Sequence, residues 1–109
     1  MKQDIIHDLI FARNTASRRN IWVVAVVPQQ DVAEGLRILG ASVPADCFSG
    51  RTAVLPTGGR LSLVGGKDEV FVPKNEPFHA MFLGWGSNDN NEGMAKWRKA
   101  AMSEVRRSL

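Results

Sequence analysis

The chain has 109 residues, 44% of them hydrophobic and 23% charged, with a formal net charge of +3. That is the length of one domain with enough apolar material for a core, which excludes a pair of domains, a disordered chain and a collagen-like fibre. One cysteine excludes an internal disulfide framework and a cysteine-built zinc site, and no apolar run approaches the ~20 residues of a membrane-spanning helix.

The opening MKQDIIHDLIFARN has acidic residues inside its apolar stretch and no small-residue cleavage site. It predicts no secretory signal, and with the lone cysteine it points to a cytoplasmic protein that does not engage membranes. From Gln3 to Ser17, Ile5, Ile6, Leu9, Ile10 and Ala16 recur at helical spacing, with Asp4, His7, Asp8 and Arg13 largely opposite. This predicts an amphipathic helix closing in Ser17-Arg18-Arg19-Asn20, where cations suit the negative end of the dipole.

Ile21 to Val27 is seven apolar residues without alternation, mostly β-branched, and ends at Pro28. Such a run is a strand buried on both faces, which demands helices above and below its sheet. Asp31 to Leu39 supplies a second helix, with Val32, Ala33, Leu36 and Leu39 on one side and Gly40 as the predicted C-cap.

Thr52–Leu55 and Arg60–Val64 flank Pro56-Thr57-Gly58-Gly59, a hairpin signal. Arg60 and Ser62 alternate with Leu61 and Leu63, which predicts one wet face. The Gly65-Gly66-Lys67-Asp68 step is explained by a β-turn without any ligand. Glu69–Val72 and Phe78–Leu83 read as further strands, and Gly84 to Asn91 as an exposed loop. In Glu92–Leu109 the residues Met94, Trp97, Ala101, Val105 and Leu109 form one stripe, predicting a helix to the end of the chain. The fold class expected is α/β or α+β: one small domain, a mixed sheet of four or five strands, helices at both ends and one after the first strand.

Residues 1–20 hold four basic and two acidic side chains, residues 92–109 five and two, and the stretch between them five and seven. The positive charge thus sits on the terminal helices. On the same face of the sheet, Arg13, Arg18, Arg19, Lys96, Arg98, Lys99, Arg106 and Arg107 would form a surface for DNA or RNA phosphates; on opposite faces the charge is dispersed. Trp97 lies on the apolar stripe as a core anchor, or stacks on a base or partner between its basic neighbours. Trp85, between two glycines in a polar loop, either folds back as a lid or projects outward beside Asn88 as an interface anchor.

Chemistry has little to work with. Cys47 is the candidate nucleophile, His79 and His7 are the only candidate bases, and spacing does not show that they meet. The histidines and cysteine are too scattered for a metal site, and neither Gly-x-x-x-x-Gly-Lys-Ser/Thr nor Gly-x-Gly-x-x-Gly occurs. No cofactor is predicted.

IWVVAVVPQQDVAEGLRIL (residues 21–39) nevertheless resembles the strand and helix that follow the phosphate-loop helix in helicase-like ATPases, nearest to phage terminase large subunits. TAVLPTGGRLSLVGG is similar to the hairpin of those proteins, and FHAMFLGW falls where their second nucleotide motif lies. The resemblance covers about residues 3–85, its helix 3–17 matching the one that leaves the phosphate loop. It implies a shared scaffold without ATP hydrolysis. No phosphate-loop lysine or hydroxyl is present, and Gly84 and Trp85 stand where metal-holding and catalytic carboxylates are needed. The functional expectation is a non-enzymatic binding protein of phage or mobile-element type, a regulator or inhibitor of a protein partner. The alternatives are a nucleic-acid-binding accessory protein and a small enzyme using Cys47 or His79. A homodimer paired through an edge strand of the hairpin region is a further option.

Overall fold

A computed structural model describes residues 2–43, 45–70, 77–85 and 92–105. Helix α1, Lys2–Arg19, buries Leu9, Ala12 and Ala16 and ends where Asn20 takes a left-handed φ of 55°. The Ile21 amide then reaches back to the Ala16 carbonyl at 3.1 Å, a Schellman-type closure that satisfies a terminal carbonyl. Strand β1, Trp22–Val27, is buried at every residue, as its uninterrupted apolar run predicts.

After Pro28 and a 3-10 turn, Gln29–Asp31, comes α2, Val32–Ser42. Gly40 lies inside this helix, two residues before its end. A Cβ there would touch the Phe48 ring at 3.4 Å, so the glycine serves packing, and the Ser42 hydroxyl donates to the Leu39 carbonyl in the last turn. Strands β2 (Phe48–Ser49), β3 (Thr52–Val54), β4 (Arg60–Gly65) and β5 (His79–Phe82) follow, then α3 (Glu92–Ala100) and β6 (Ser103–Glu104).

They form one mixed sheet in the order β2-β3-β4-β1-β5-β6. β1 runs parallel to β4 and β5, β5 parallel to β6, and β2, β3 and β4 are antiparallel neighbours. The domain is therefore a small α+β unit, with three α-helices among the described residues, in agreement with the class expected from the sequence. The two strands beyond that expectation, β2 and β6, are the two-residue edges. In the hairpin region β2 is the edge strand, paired with Thr52 and Ala53 of β3. No described helix is long and apolar enough to cross a membrane.

Alternate residues of β1 feed two cores. Val23, Ala25 and Val27 pack with Leu9, Ala12 and Ala16 of α1, Leu39 of α2, and Leu61, Leu63 and Met81 of the neighbouring strands. Trp22, Val24 and Val26 pack on the opposite face with Val64, Phe78 and Trp97 of α3. Phe78 sits between the two tryptophans, 5.7 Å from Trp22 and 6.1 Å from Trp97 in an edge-on arrangement.

Three expectations change here. Helix α3 stops at Ala100 and does not continue to residue 109. The Met102 amide donates to the Phe78 carbonyl and the Val105 amide to the Ala80 carbonyl, so the chain leaves the helix to cover the open backbone of β5. Val105 joins the first core and not the stripe of Met94 and Trp97. Ser62 is fully buried, so β4 has no wet face; its hydroxyl accepts from the Trp22 indole at 2.9 Å and pairs with the Thr52 hydroxyl at 2.7 Å. Glu69 and Val70 are not in a strand, and Phe71 and Val72 lie outside the described residues.

The hairpin turn is fastened to the end of α1: the Thr57 hydroxyl donates to the Ser17 carbonyl at 2.8 Å, and a Cβ on Gly59 would lie 2.1 Å from the Ala16 carbonyl oxygen. Because that obstacle is backbone, Gly59→Ala is expected to cost about 2–3 kcal/mol, read as a lowered urea midpoint with an unchanged slope.

Candidate functional site

The sheet topology creates one position where chemistry can collect. The chain leaving β1 enters α2 on one face of the sheet, whereas α3, which comes after the adjacent parallel strand β5, packs on the other. Where neighbouring parallel strands send their connections to opposite faces, a crevice opens beyond their carboxyl ends. A cleft of about 710 Å³ lies there.

Its walls come from four segments: Pro28, Gln29 and Gln30 after β1; Gly66 and Lys67 after β4; Gly84 and Trp85 after β5; and Glu92, Gly93 and Lys96 of α3. Two glycines let these segments touch. A Cβ on Gly66 would stand 2.6 Å from the Trp85 ring, and one on Gly93 would stand 2.6 Å from the Gly66 carbonyl oxygen. Trp85 is turned into this wall, its indole N–H donating to the Val26 carbonyl of β1 at 2.9 Å. The ring is half-buried there, as the lid-like alternative describes. Trp97 is no interface residue, since its ring is wholly enclosed between α3 and the sheet.

Beneath the cleft a polar network joins its parts. The Gln29 side chain accepts from the Lys67 amide at 2.9 Å and donates to Asp68 Oδ1 at 3.0 Å. Asp68 Oδ2 accepts from the Gly65 amide at 2.8 Å and from Arg51, while Lys96 donates to the Asp68 carbonyl. Burial alone would raise the Asp68 pKa, but the hydrogen bonds from Gly65, Gln29 and Arg51, with the Arg51 charge, outweigh it and hold the carboxyl below its ordinary value.

The described basic residues of α1 and α3 do not share one face. α1 and α3 lie on opposite faces of the sheet, which disperses their charge. Arg13 donates to the Ser42 carbonyl, the favourable place for a cation at the end of α2. Arg98 stacks on Phe82 at 5.0 Å and pairs with Glu104 at 3.0 Å. Arg18, Arg19 and Lys99 are exposed on their helices, and of the described members of the set only Lys96 reaches the cleft. Arg106, Arg107 and Asn88 lie outside the described residues.

The cysteine–histidine pair is also kept apart. Cys47 immediately precedes β2 and His79 opens β5, four strand spacings away, or about 19 Å. His79 lines a smaller hollow of about 350 Å³ at the opposite, amino-terminal edge of the parallel strands. Among the described residues no group of three or more His, Cys, Asp or Glu side chains is placed to hold a metal ion.

Gln29, Lys67 and Asp68 carried no sequence motif. The available signal was that Pro28-Gln29 and Gly65-Gly66-Lys67-Asp68 each follow an apolar strand, so that both land at the same edge once the strands are parallel. Comparison with family models, curated proteins and solved structures gives no match to this chain. The likeness to terminase ATPase cores therefore rests on the residues quoted for it alone.

The depressed Asp68 pKa fixes the sign of an acid effect. Its stabilisation is complete above the unfolded carboxyl value of about 3.9 and is lost as the pH falls through the lower folded-state value. In urea titrations across that range, the stability gap between wild type and Asp68→Asn is expected to stay constant above about pH 5 and to close in stronger acid.

Proposed function

We propose that this chain is a non-enzymatic binding protein that holds a small phosphate-bearing anion in the cleft at the carboxyl edge of β1, β4 and β5. The observation that carries the reading is the meeting of Lys67 and Lys96, from separate elements, on one cleft lined by Gln29, Gln30 and Trp85. Amides and ammonium groups are the donors a phosphate needs, and Trp85 supplies an apolar wall. Glu92 on the same cleft opposes the two lysines, so among the described residues the charged lining carries a net single positive charge.

Of the two tryptophans offered as anchors for a protein partner, Trp97 is buried in the core and Trp85 is half-buried on the cleft wall. A nucleic-acid surface using the described basic residues of both α1 and α3 would have to span opposite faces of the sheet. Binding through the cleft needs neither a protruding tryptophan nor a joint basic face.

The test is an amide NMR titration with inorganic tripolyphosphate at low and moderate salt. Perturbations are expected at Lys67 and the Trp85 indole N–H, weakening as salt screens the charges. Lys67→Ala and Lys96→Ala should each reduce affinity by about tenfold, and Glu92→Gln should raise it by about twofold. Cleft resonances that stay unmoved at millimolar anion would sink the proposal.

A further inference from the structure

We infer that Asp68, which does not itself line the cleft, is its positioning residue: it sets the relation between Lys67 and Lys96 and thereby which anions the cleft accepts. The inference rests on the anion-binding reading above.

Asp68 holds four segments at once. Its Oδ1 receives Gln29 from the exit of β1, and its Oδ2 receives the Gly65 amide from the exit of β4 and Arg51 from the turn between β2 and β3. Its carbonyl receives Lys96 from α3. Both cleft lysines are tied to this residue, Lys96 directly and Lys67 through Gln29, whose amide oxygen accepts the Lys67 N–H.

The chain of bonds is directional, and only a carboxylate completes it. The Lys67 N–H donates to Gln29, and Gln29 donates to Asp68, so Asp68 must offer acceptors on both oxygens. An asparagine that keeps its oxygen toward Gly65 and Arg51 turns an NH₂ toward the Gln29 NH₂. If Gln29 flips to relieve that conflict, its NH₂ faces the Lys67 N–H instead. The mismatch is handed on to the cleft and cannot be absorbed at residue 68. The geometry thus makes neutralising Asp68 equivalent to displacing the Lys67 turn, without touching a cleft-lining side chain.

An anion long enough to engage both lysines depends on their relation, and a compact one that meets a single lysine does not. The experiment compares inorganic tripolyphosphate with orthophosphate on wild type and Asp68→Asn by calorimetric and NMR titration, with amide dispersion as the check on folding. Asp68→Asn is expected to lose about tenfold in tripolyphosphate affinity and less than about threefold for orthophosphate, so that the ratio of the two falls. General loosening of the fold would lower both together. A folded Asp68→Asn with the wild-type ratio overturns the inference. Should that variant fail to fold, Arg51→Met, which removes a tie to Asp68 from outside the cleft, is expected to lower the ratio to a smaller extent, and an unchanged ratio there overturns it equally. Wild type that binds neither anion overturns the anion-binding reading itself, a failure visible before any variant is made.

Discussion

The structure depends on the burial of β1 on both faces. A strand of six residues with no polar side chain cannot leave either side to water, so helices must cover both. Val23, Ala25 and Val27 draw α1 and α2 to one face, and Trp22, Val24 and Val26 draw α3 to the other. At roughly 1.5–3 kcal/mol for each large apolar side chain taken out of water, this central strand anchors both cores. The backbone ladders to β4 and β5 then place those strands beside it.

Two functional consequences follow from that division. The described basic residues of α1 and α3 are split across the two faces of the sheet. At the same time the strands β1 and β5 are committed to helices on opposite faces, which parts the segments at their carboxyl ends and leaves the cleft. The cleft is thus a by-product of how the core is covered. What makes it more than a gap is Asp68, where the exits of β1 and β4, the turn before β3 and the helix α3 are joined by charge-assisted bonds.

Helix α1, the buried strand, the helix after it and the β3–β4 hairpin were legible because each carries its own periodicity or turn chemistry. Other features depended on neighbours far along the chain. Nothing in Lys99-Ala100-Ala101-Met102-Ser103 breaks a helix, and the local pattern favours continuing one; the open edge of β5 decides otherwise. Ser62 reads as a solvent-facing residue until Trp22 and Thr52, 40 and 10 positions away, supply its hydrogen bonds. Trp85 sits among polar residues, and only the Val26 carbonyl and the bare backbone of Gly66 explain its inward turn. Of the candidate site, Lys96 and Trp85 were singled out beforehand, Lys96 for a different role and Trp85 as lid or anchor, while the Gly66-Lys67 step reads as a turn without a ligand.

The sequence by itself determined the need for a two-sided α+β core, the first two helices, the central strand and the hairpin, because hydrophobic period and turn residues act over a few positions. It also determined the absence of phosphate-loop and dinucleotide motifs, which are statements about residue order. Only the tertiary structure decided which helix lies on which face, where the apolar stripe of the last helix ends, and that Gln29, Lys67, Asp68 and Lys96 meet. Those outcomes rest on parallel pairing between strands nearly 40 to 60 residues apart, whose register no local pattern encodes.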